Sequence, residues 1–257
     1  MGGLDNIVAV PVTTVGGMTI AALDRAKTAR LMIALTRRER GTRPPVLMSS
    51  ANGEVISRCA SDAELRRVMS AMDVVSADGQ PLVLASRALC ETKLPERVAT
   101  TDLFHDVARL AAPRGVSFYV LGASAEENER AAKHIREIYP NLKIVGHSHG
   151  YLSDEQLDRK VEEIDRLAPD IVWVCLGFPR EQYFCMRAKS TMKNVGVIKT
   201  GGGLLNFISG TCKRAPQWMQ RVGLEWAFRL ALEPRRLFWR YAITSPHAVY
   251  VMIMRSR

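Results

Sequence analysis

The sequence predicts a parallel α/β sheet covered on both faces by helices, followed by a basic helical segment at the C-terminus. Three observations carry this. Short, near-continuous apolar runs such as Phe118-Tyr119-Val120-Leu121 and Ile171-Val172-Trp173-Val174 read as strands buried on both sides. Between them lie longer polar segments with apolar residues at helical spacing, so strand and helix alternate. After Lys199 no strand signal returns, and Lys213 to Arg257 holds nine Lys or Arg against two Glu. The 257 residues, 47% of them hydrophobic, suffice for a sizeable core.

Taken in order, Ile7 to Val12 reads as the first strand. Met18 to about Arg40 reads as an amphipathic helix with Ile20, Leu23, Ala26 and Leu31 on one face, ended by Gly41 and Pro44-Pro45. Pro45 to Met48 begins a strand that runs into Ser49-Ser50-Ala51-Asn52, and one helix is expected over Glu54 to Met72. Val74 to Ala77 is a short strand that stops at Asp78-Gly79, with a helix over Pro81 to Cys90 beyond it. Thr100 and Thr101 are natural caps for a helix over Asp102 to Ala112. Val116 to Ala123 is the clearest strand, and Ser124 with Glu127 forms a capping box for a helix reaching Tyr139. After the strand Lys143 to Gly146, Ser153 and Gln156 repeat that cap pattern. The strand Ile171 to Gly177, a helix over Arg180 to Met192 and the strand Val195 to Lys199 complete the series. A boundary near 210–215 then separates a Rossmann-like core, 1–212, from a basic amphipathic appendage, 213–257.

The charge is +10, concentrated in that appendage, which points to an anionic partner. No recognised nucleic-acid motif accompanies it, so nucleic acid is not expected. The five cysteines are odd in number and widely spaced, which fits a reducing cytoplasm. No secretory signal and no run of about 20 apolar residues is read, so no membrane span is expected. A Gly-x-Gly-x-x-Gly turn, a Walker lysine loop and a Gly-x-Ser-x-Gly elbow are absent, which argues against dinucleotide enzymes, P-loop hydrolases and esterases.

Chemistry is expected where parallel strands end, because ligands in such sheets bind at the C-terminal edge. Asp78 sits there as a lone carboxylate. Two readings stand: a cap for the next helix, or a general base. The strand ends at Ser50/Asn52, Gly122, Gly146, Gly177 and Gly201 open on the same edge. Thr200-Gly201-Gly202-Gly203 would let backbone amides converge on an anion, or would simply form a tight turn. Arg180, Glu181 and Gln182 open a helix after Gly177. His147 and His149 alternate on a strand and read as a metal pair or as ordinary loop histidines; no metal is assigned. The inventory suits a nucleotide diphosphate.

At this point the chain resembles the WecG/TagA/CpsF glycosyltransferases, glycosyltransferase family 26. The resemblance rests on Ser50-Ala51-Asn52, Ala77-Asp78-Gly79, Glu96-Arg97-Val98 with Thr101-Asp102-Leu103, Tyr119-Val120-Leu121-Gly122, Ile144-Val145-Gly146 with Gly150-Tyr151, Gly177-Phe178-Pro179 and Lys213-Arg214-Ala215-Pro216. The most specific run is Gly223-Leu224-Glu225-Trp226 with Arg229-Leu230, Glu233-Pro234-Arg235-Arg236 and Arg240-Tyr241. It implies an inverting enzyme that moves a sugar from a UDP-sugar to a polyprenyl-diphosphate-linked glycan in bacterial surface polysaccharide synthesis. No cofactor or metal is implied. Asp78 aligns with the base, Ser50 with a position usually held by Thr, and Arg97 with a cleft arginine. Asn52, Gly122, Gly177, Glu181, Gln182, Gly201, Gly202 and Asn206 become donor-site candidates. Arg214, Arg229, Arg235, Arg236 and Arg240 become candidates for the acceptor diphosphate and for an anionic inner membrane face, where the protein would lie peripherally. Two departures stand out: Glu181 and Gln182 are exchanged relative to the family's order, and Asn206 replaces a common Asp. A nonenzymatic nucleotide-binding scaffold is the alternative that the exchange permits.

Overall fold

The computed structural model describes residues 10–257 apart from Val222 and the side chains of Arg221 and Arg236. Part of the expected strand Ile7 to Val12 lies outside the described residues, and Val12 opens the next element instead. Strands β1 (Val12–Val15) and β2 (Met18–Ala21) form an antiparallel hairpin. Its turn residues, Gly16 at φ 59° and Gly17 at φ 77°, supply the two left-handed positions that a two-residue hairpin turn demands. The helix expected from Met18 therefore starts later, as α1 (Arg25–Leu35), capped by Asp24 whose carboxylate accepts from the Lys27 amide. The turn chemistry overrides the helical spacing of Ile20 and Leu23.

Strands β3 (Val46–Ala51), β4 (Val74–Ala77), β5 (Ser117–Gly122), β6 (Lys143–Ser148), β7 (Ile171–Cys175) and β8 (Val197–Thr200) form one parallel sheet in the order β4-β3-β8-β7-β5-β6. All six strands point one way, so the ends of β3, β4, β5, β7 and β8 share an edge. The expected helix Glu54 to Met72 is two helices, α2 (Gly53–Ser61) and α3 (Ala63–Ser70). Asp62 breaks it, ending α2 in extended conformation while its carboxylate accepts from the Glu64 and Leu65 amides. The remaining core helices are α4 (Gln80–Leu89), α5 (Thr100–Ala111), α6 (Ala125–Ile138), α7 (Asp154–Leu167), α8 (Arg180–Thr191) and the short α9 (Leu204–Ile208). Both expected capping boxes form, at the starts of α6 and α7.

One apolar layer joins the sheet to α1, α5 and α6, with Trp173, Phe104 and Phe118 packed at ring separations of 5.0 to 6.2 Å. The other joins it to α2, α3, α7 and α8. Three more helices follow: α10 (Gln217–Arg221), α11 (Glu225–Leu232) and α12 (Pro234–Arg255). Helix α12 lies along α2, where His247 Nδ1 sits 2.8 Å from Ser57 Oγ and Arg240 pairs with Glu54 at 3.2 Å. Its Ala248, Val251 and Met252 are buried in the same layer as Ile56 and Val15. The chain end then pairs with the hairpin, Arg257 N–H donating to Thr14 O at 3.0 Å and Gly17 N–H to Arg255 O at 2.7 Å. The C-terminal helices are thus built into the fold. Among the described residues no helix is long and apolar enough to cross a membrane.

Removing apolar volume from that seam should cost what a core truncation costs. Met252→Ala is expected to lower unfolding free energy by about 2 kcal/mol or more, measured by denaturant titration. A loss below about 0.5 kcal/mol, the scale of a surface change, would mean that α12 is not part of the core.

Candidate active site

Asp78 stands one residue beyond β4, about a fifth exposed, and its backbone N–H donates to Ala51 O at 2.8 Å. It does not cap the helix that follows it: Gly79 is the N-cap of α4 and provides no side-chain bond. Its carboxylate reaches across to the loop 91–99 and to α5. Oδ1 accepts from Arg97 Nε at 3.3 Å and Nη2 at 3.2 Å, and Oδ2 accepts from Thr100 N at 3.1 Å and Thr100 Oγ1 at 2.9 Å. Thr100 was expected to cap α5 itself; Ala99 is the N-cap, and Asp78 satisfies the amide from outside. The loop is brought into range because Val98 N–H donates to Ala77 O at 2.8 Å. With four donors, the carboxylate's lone pairs are all engaged.

Arg97 has a second partner from the C-terminal helices. Its Nη1 donates to Glu225 Oε2 at 2.6 Å. Burial opposes the guanidinium charge, but Asp78 and then Glu225 outweigh it, so the Arg97 pKa lies above its ordinary value. Arg214 continues the chain, forking onto Asp102 of α5 and donating to Gln220 Oε1 at 2.8 Å, with its Nε 4.0 Å from Glu225 Oε1. Burial pushes the Asp102 carboxyl up, and Arg214, with Arg25 and Arg97 behind it, more than compensates, leaving it below the usual range.

Ser50, on β3, lies 3.2 Å from Thr100 Oγ1 and accepts from Lys199 Nζ at 2.8 Å. Asn52 is exposed and caps α2, its Oδ1 accepting from Val55 N at 3.1 Å. Gly122 at φ 139° is pressed against β7, where an added Cβ would meet Cys175 O at 2.2 Å. The glycine turns are arranged differently from the expectation. Instead of converging on an external anion, the amides of Gly177 and Gly202 both donate to Glu181 Oε2, at 3.2 and 2.8 Å. Glu181 and Gln182 are 4% and 1% exposed, so they lie beneath the turns, and Gln182 Nε2 donates to Ser49 Oγ at 3.2 Å. Burial raises the Glu181 pKa against the pull of the Gly202 amide and Lys199. Asn206 is tied to Glu127 Oε1 at 2.8 Å.

These features, a carboxylate just beyond β4 bonded to an arginine of the adjoining loop, meet a matching family model. The Glycosyl transferase WecG/TagA/CpsF family model matches residues 13–257. The chain belongs to this family. It is similar to the N-acetylglucosaminyldiphosphoundecaprenol N-acetyl-beta-D-mannosaminyltransferase of Bacillus subtilis (strain 168), with 32% identity over 82% of this chain and 80% of the relative. Proteins of the same description from Bacillus spizizenii and Staphylococcus aureus (strain MRSA252) are each 27% identical, over 81% and 73% of this chain and 79% and 72% of theirs.

The protein is therefore a glycosyltransferase, and its structure brings Asp78, Ser50 and Arg97 together while spreading the tail arginines. Arg229 lies over the Phe207 ring at 5.5 Å, Arg240 is held by Glu54 and the Tyr241 ring, and Arg235 is exposed. The Arg236 side chain lies outside the described residues. Three residues of the cluster were not singled out in the sequence as site groups: Thr100, Glu225 and Lys199. Thr100 and Lys199 carry no local signal, whereas Glu225 lies within the family's most specific run. Breaking the bridge should be measurable. Arg97→Met, which strands Asp78 and Glu225, is expected to lower stability by about 3 kcal/mol, and adding Glu225→Gln should recover part of that in a double-mutant cycle. Strict additivity would show that the two side chains are not coupled.

Proposed function

We propose that the chain is an inverting transferase that moves a sugar from a UDP-sugar onto a polyprenyl-diphosphate-linked glycan at the inner face of a bacterial membrane. The names of the relatives support an acceptor of that class, an N-acetylglucosaminyldiphosphoundecaprenol. The observation that carries the reading is Asp78 at the sheet edge with Arg97 beside it. Inversion needs the acceptor hydroxyl to lose its proton while its oxygen attacks the anomeric carbon and the bond to UDP breaks on the opposite face. Asp78 takes that proton. Arg97 meets the charge that grows on the departing diphosphate, with Arg214 next along the chain.

The two roles are linked through Asp78 Oδ1. Both of its lone pairs are taken by Arg97, at the longest distances around the carboxylate. A bound diphosphate competes for the same guanidinium N–H groups, and each one it draws away frees an acceptor site on the base. No metal is required in this scheme, because guanidinium groups supply the positive charge. Donor contacts from Gly177 and Gly202 are steric, since both have open space above them and their amides are already engaged with Glu181, whereas Gly201 faces Cys175 Sγ and gives its amide to Val174 O.

The C-terminal helices supply the membrane face in this reading. On α12, Trp239, Ile243, Tyr250 and Met254 are each more than 60% exposed and recur at helical spacing along one side. Residues 241–254 hold no Lys, Arg, Asp or Glu, whereas Arg235 precedes them and Arg255 and Arg257 follow. Trp218 and Trp226 add exposed aromatic surface nearby in sequence. An apolar strip flanked by arginines matches an interfacial helix on an anionic bilayer.

Asp78→Asn is expected to keep UDP binding, read by calorimetry, and to cut transfer to a lipid-linked acceptor by about 10²-fold or more. Full activity in that variant sinks the base assignment. For the membrane face, Trp239→Glu with Ile243→Glu is the sharper probe, since deleting the tail would also strip core residues. The double variant is expected to lose flotation with anionic vesicles at unchanged melting temperature; retained flotation would place the membrane contact elsewhere.

A further inference from the structure

Lys199 is completely buried in the middle of the sheet, where its register partners are Met48 on β3 and Trp173 on β7. A charged amine in such a place is costly unless it is hydrogen-bonded. Its Nζ donates to Thr200 O and to Ser50 Oγ, both at 2.8 Å. Ser50 Oγ is 3.2 Å from Thr100 Oγ1, which in turn donates to Asp78 Oδ2 at 2.9 Å. Four groups on four different segments therefore form one continuous line from the interior of the sheet to the carboxylate at its edge.

The direction of that line follows from proton counting. A hydroxyl has one hydrogen to donate. Thr100 gives its hydrogen to Asp78, so between Ser50 and Thr100 the donor is Ser50. Ser50 has then spent its own hydrogen, so it accepts from Lys199. We propose that Lys199 is a positioning residue for the transfer reaction, its ammonium orienting the Ser50 and Thr100 hydroxyls so that the chain ends as a donor on Asp78 Oδ2. This rests on the reading of Asp78 as the base. The reversed chain needs a neutral amine at its inner end, to accept from Ser50, and a proton on Asp78 at its outer end. A carboxyl that already carries a proton cannot take one from the acceptor hydroxyl. An ammonium has no lone pair and so cannot form the inner end of that reversed chain.

The same arrangement sets a pH dependence. Burial pulls the Lys199 pKa down to about 8. The titratable groups that face it are Glu181 and Cys185 from α8, Asp78 beyond β4, and Cys175 on β7. The two thiols are pushed up by burial and stay neutral, and Glu181 and Asp78 favour the ammonium. Below about 8 the amine is charged; as pH rises through that value the charge is lost, and the two N–H groups that remain hold Thr200 O and Ser50 Oγ as weaker, neutral donors. Transfer is expected to fall on this alkaline limb.

The test is kcat and KM as functions of pH for the full chain, with a UDP-sugar donor and a lipid-linked acceptor, in Lys199→Met, Ser50→Ala and the double variant. Lys199→Met is expected to lower kcat by about 10-fold or more with donor KM within about 2-fold, and to lack the alkaline limb. Ser50→Ala, which cuts the line without touching the lysine, should also lose the limb, and the double variant should be no worse than the poorer single one. A purely structural lysine would instead lower the melting temperature and leave the limb in place. Wild-type kcat and limb in Lys199→Met overturn the proposal. If that variant does not fold, Ser50→Ala decides: a limb retained there overturns it equally. Asp78→Asn run alongside separates the two levels, since an inactive Asp78→Asn beside a normal Lys199→Met rejects only the lysine's role, whereas an active Asp78→Asn rejects the base itself.

Discussion

Arg97 is the residue on which the two parts of this molecule meet. Its guanidinium is shared between Asp78 from the sheet edge and Glu225 from the C-terminal helices, and Glu225 in turn lies near Arg214, which forks onto Asp102. Each charge in the chain is at least partly withdrawn from water and has an opposite neighbour. Such a chain tolerates poorly the loss of any one member, because the remaining partner is left as an uncompensated charge in a low-dielectric setting. The Asp78 carboxylate is thus held, through one arginine, by α11, the helix that leads into the one carrying the exposed apolar strip. An account that treats the tail as an attachment beside a finished catalytic core misses this, since α12 also buries Ala248, Val251 and Met252 against α2 and the hairpin.

Beneath the cleft the sheet breaks the rule that parallel strands are apolar on both sides. Lys199 on β8 and Glu181 on α8 are both buried, and Ser49, Thr200 and Gln182 join them in a polar layer. Glu181 uses its carboxylate to pin the Gly177 and Gly202 turns together from beneath. Natural sequences depart from local consistency mainly where function requires it, and here the departures gather directly under the strand ends.

Much of the architecture was legible because its causes are local. The strands of the parallel sheet announce themselves as apolar runs, and the boxes Ser124/Glu127 and Ser153/Gln156 mark two helix starts by a pattern that spans four residues. The errors were also local in origin. Gly16-Gly17 turned an apparent helix face into a hairpin, and Asp62 divided one amphipathic stretch into two helices. In both cases a short turn or cap preference outweighed a hydrophobic period that helix and strand readings could share. Family resemblance, resting on ordered motifs, singled out Asp78, Ser50 and Arg97, and the structure gathers them within one hydrogen-bonded cluster.

By itself the sequence determined the fold class, the chain order of the six parallel strands, the family, the carboxylate at the end of β4 and the concentration of positive charge in the last helices. Only the tertiary structure decided what those residues do to one another. Hydrogen bonds between Asp78 and Thr100, between Ser50 and Lys199, and between Arg97 and Glu225 join positions from about 20 to almost 150 residues apart. No periodicity or spacing records them. The turn amides show the same limit: three glycines after a strand are compatible with an anion cradle or with a tight turn, and that the Gly202 amide goes to the buried Glu181 carboxylate is visible only in the folded chain. Local propensity specifies the elements, but the electrostatics of the cleft arise where distant strand ends converge, and that convergence exists only in the folded chain.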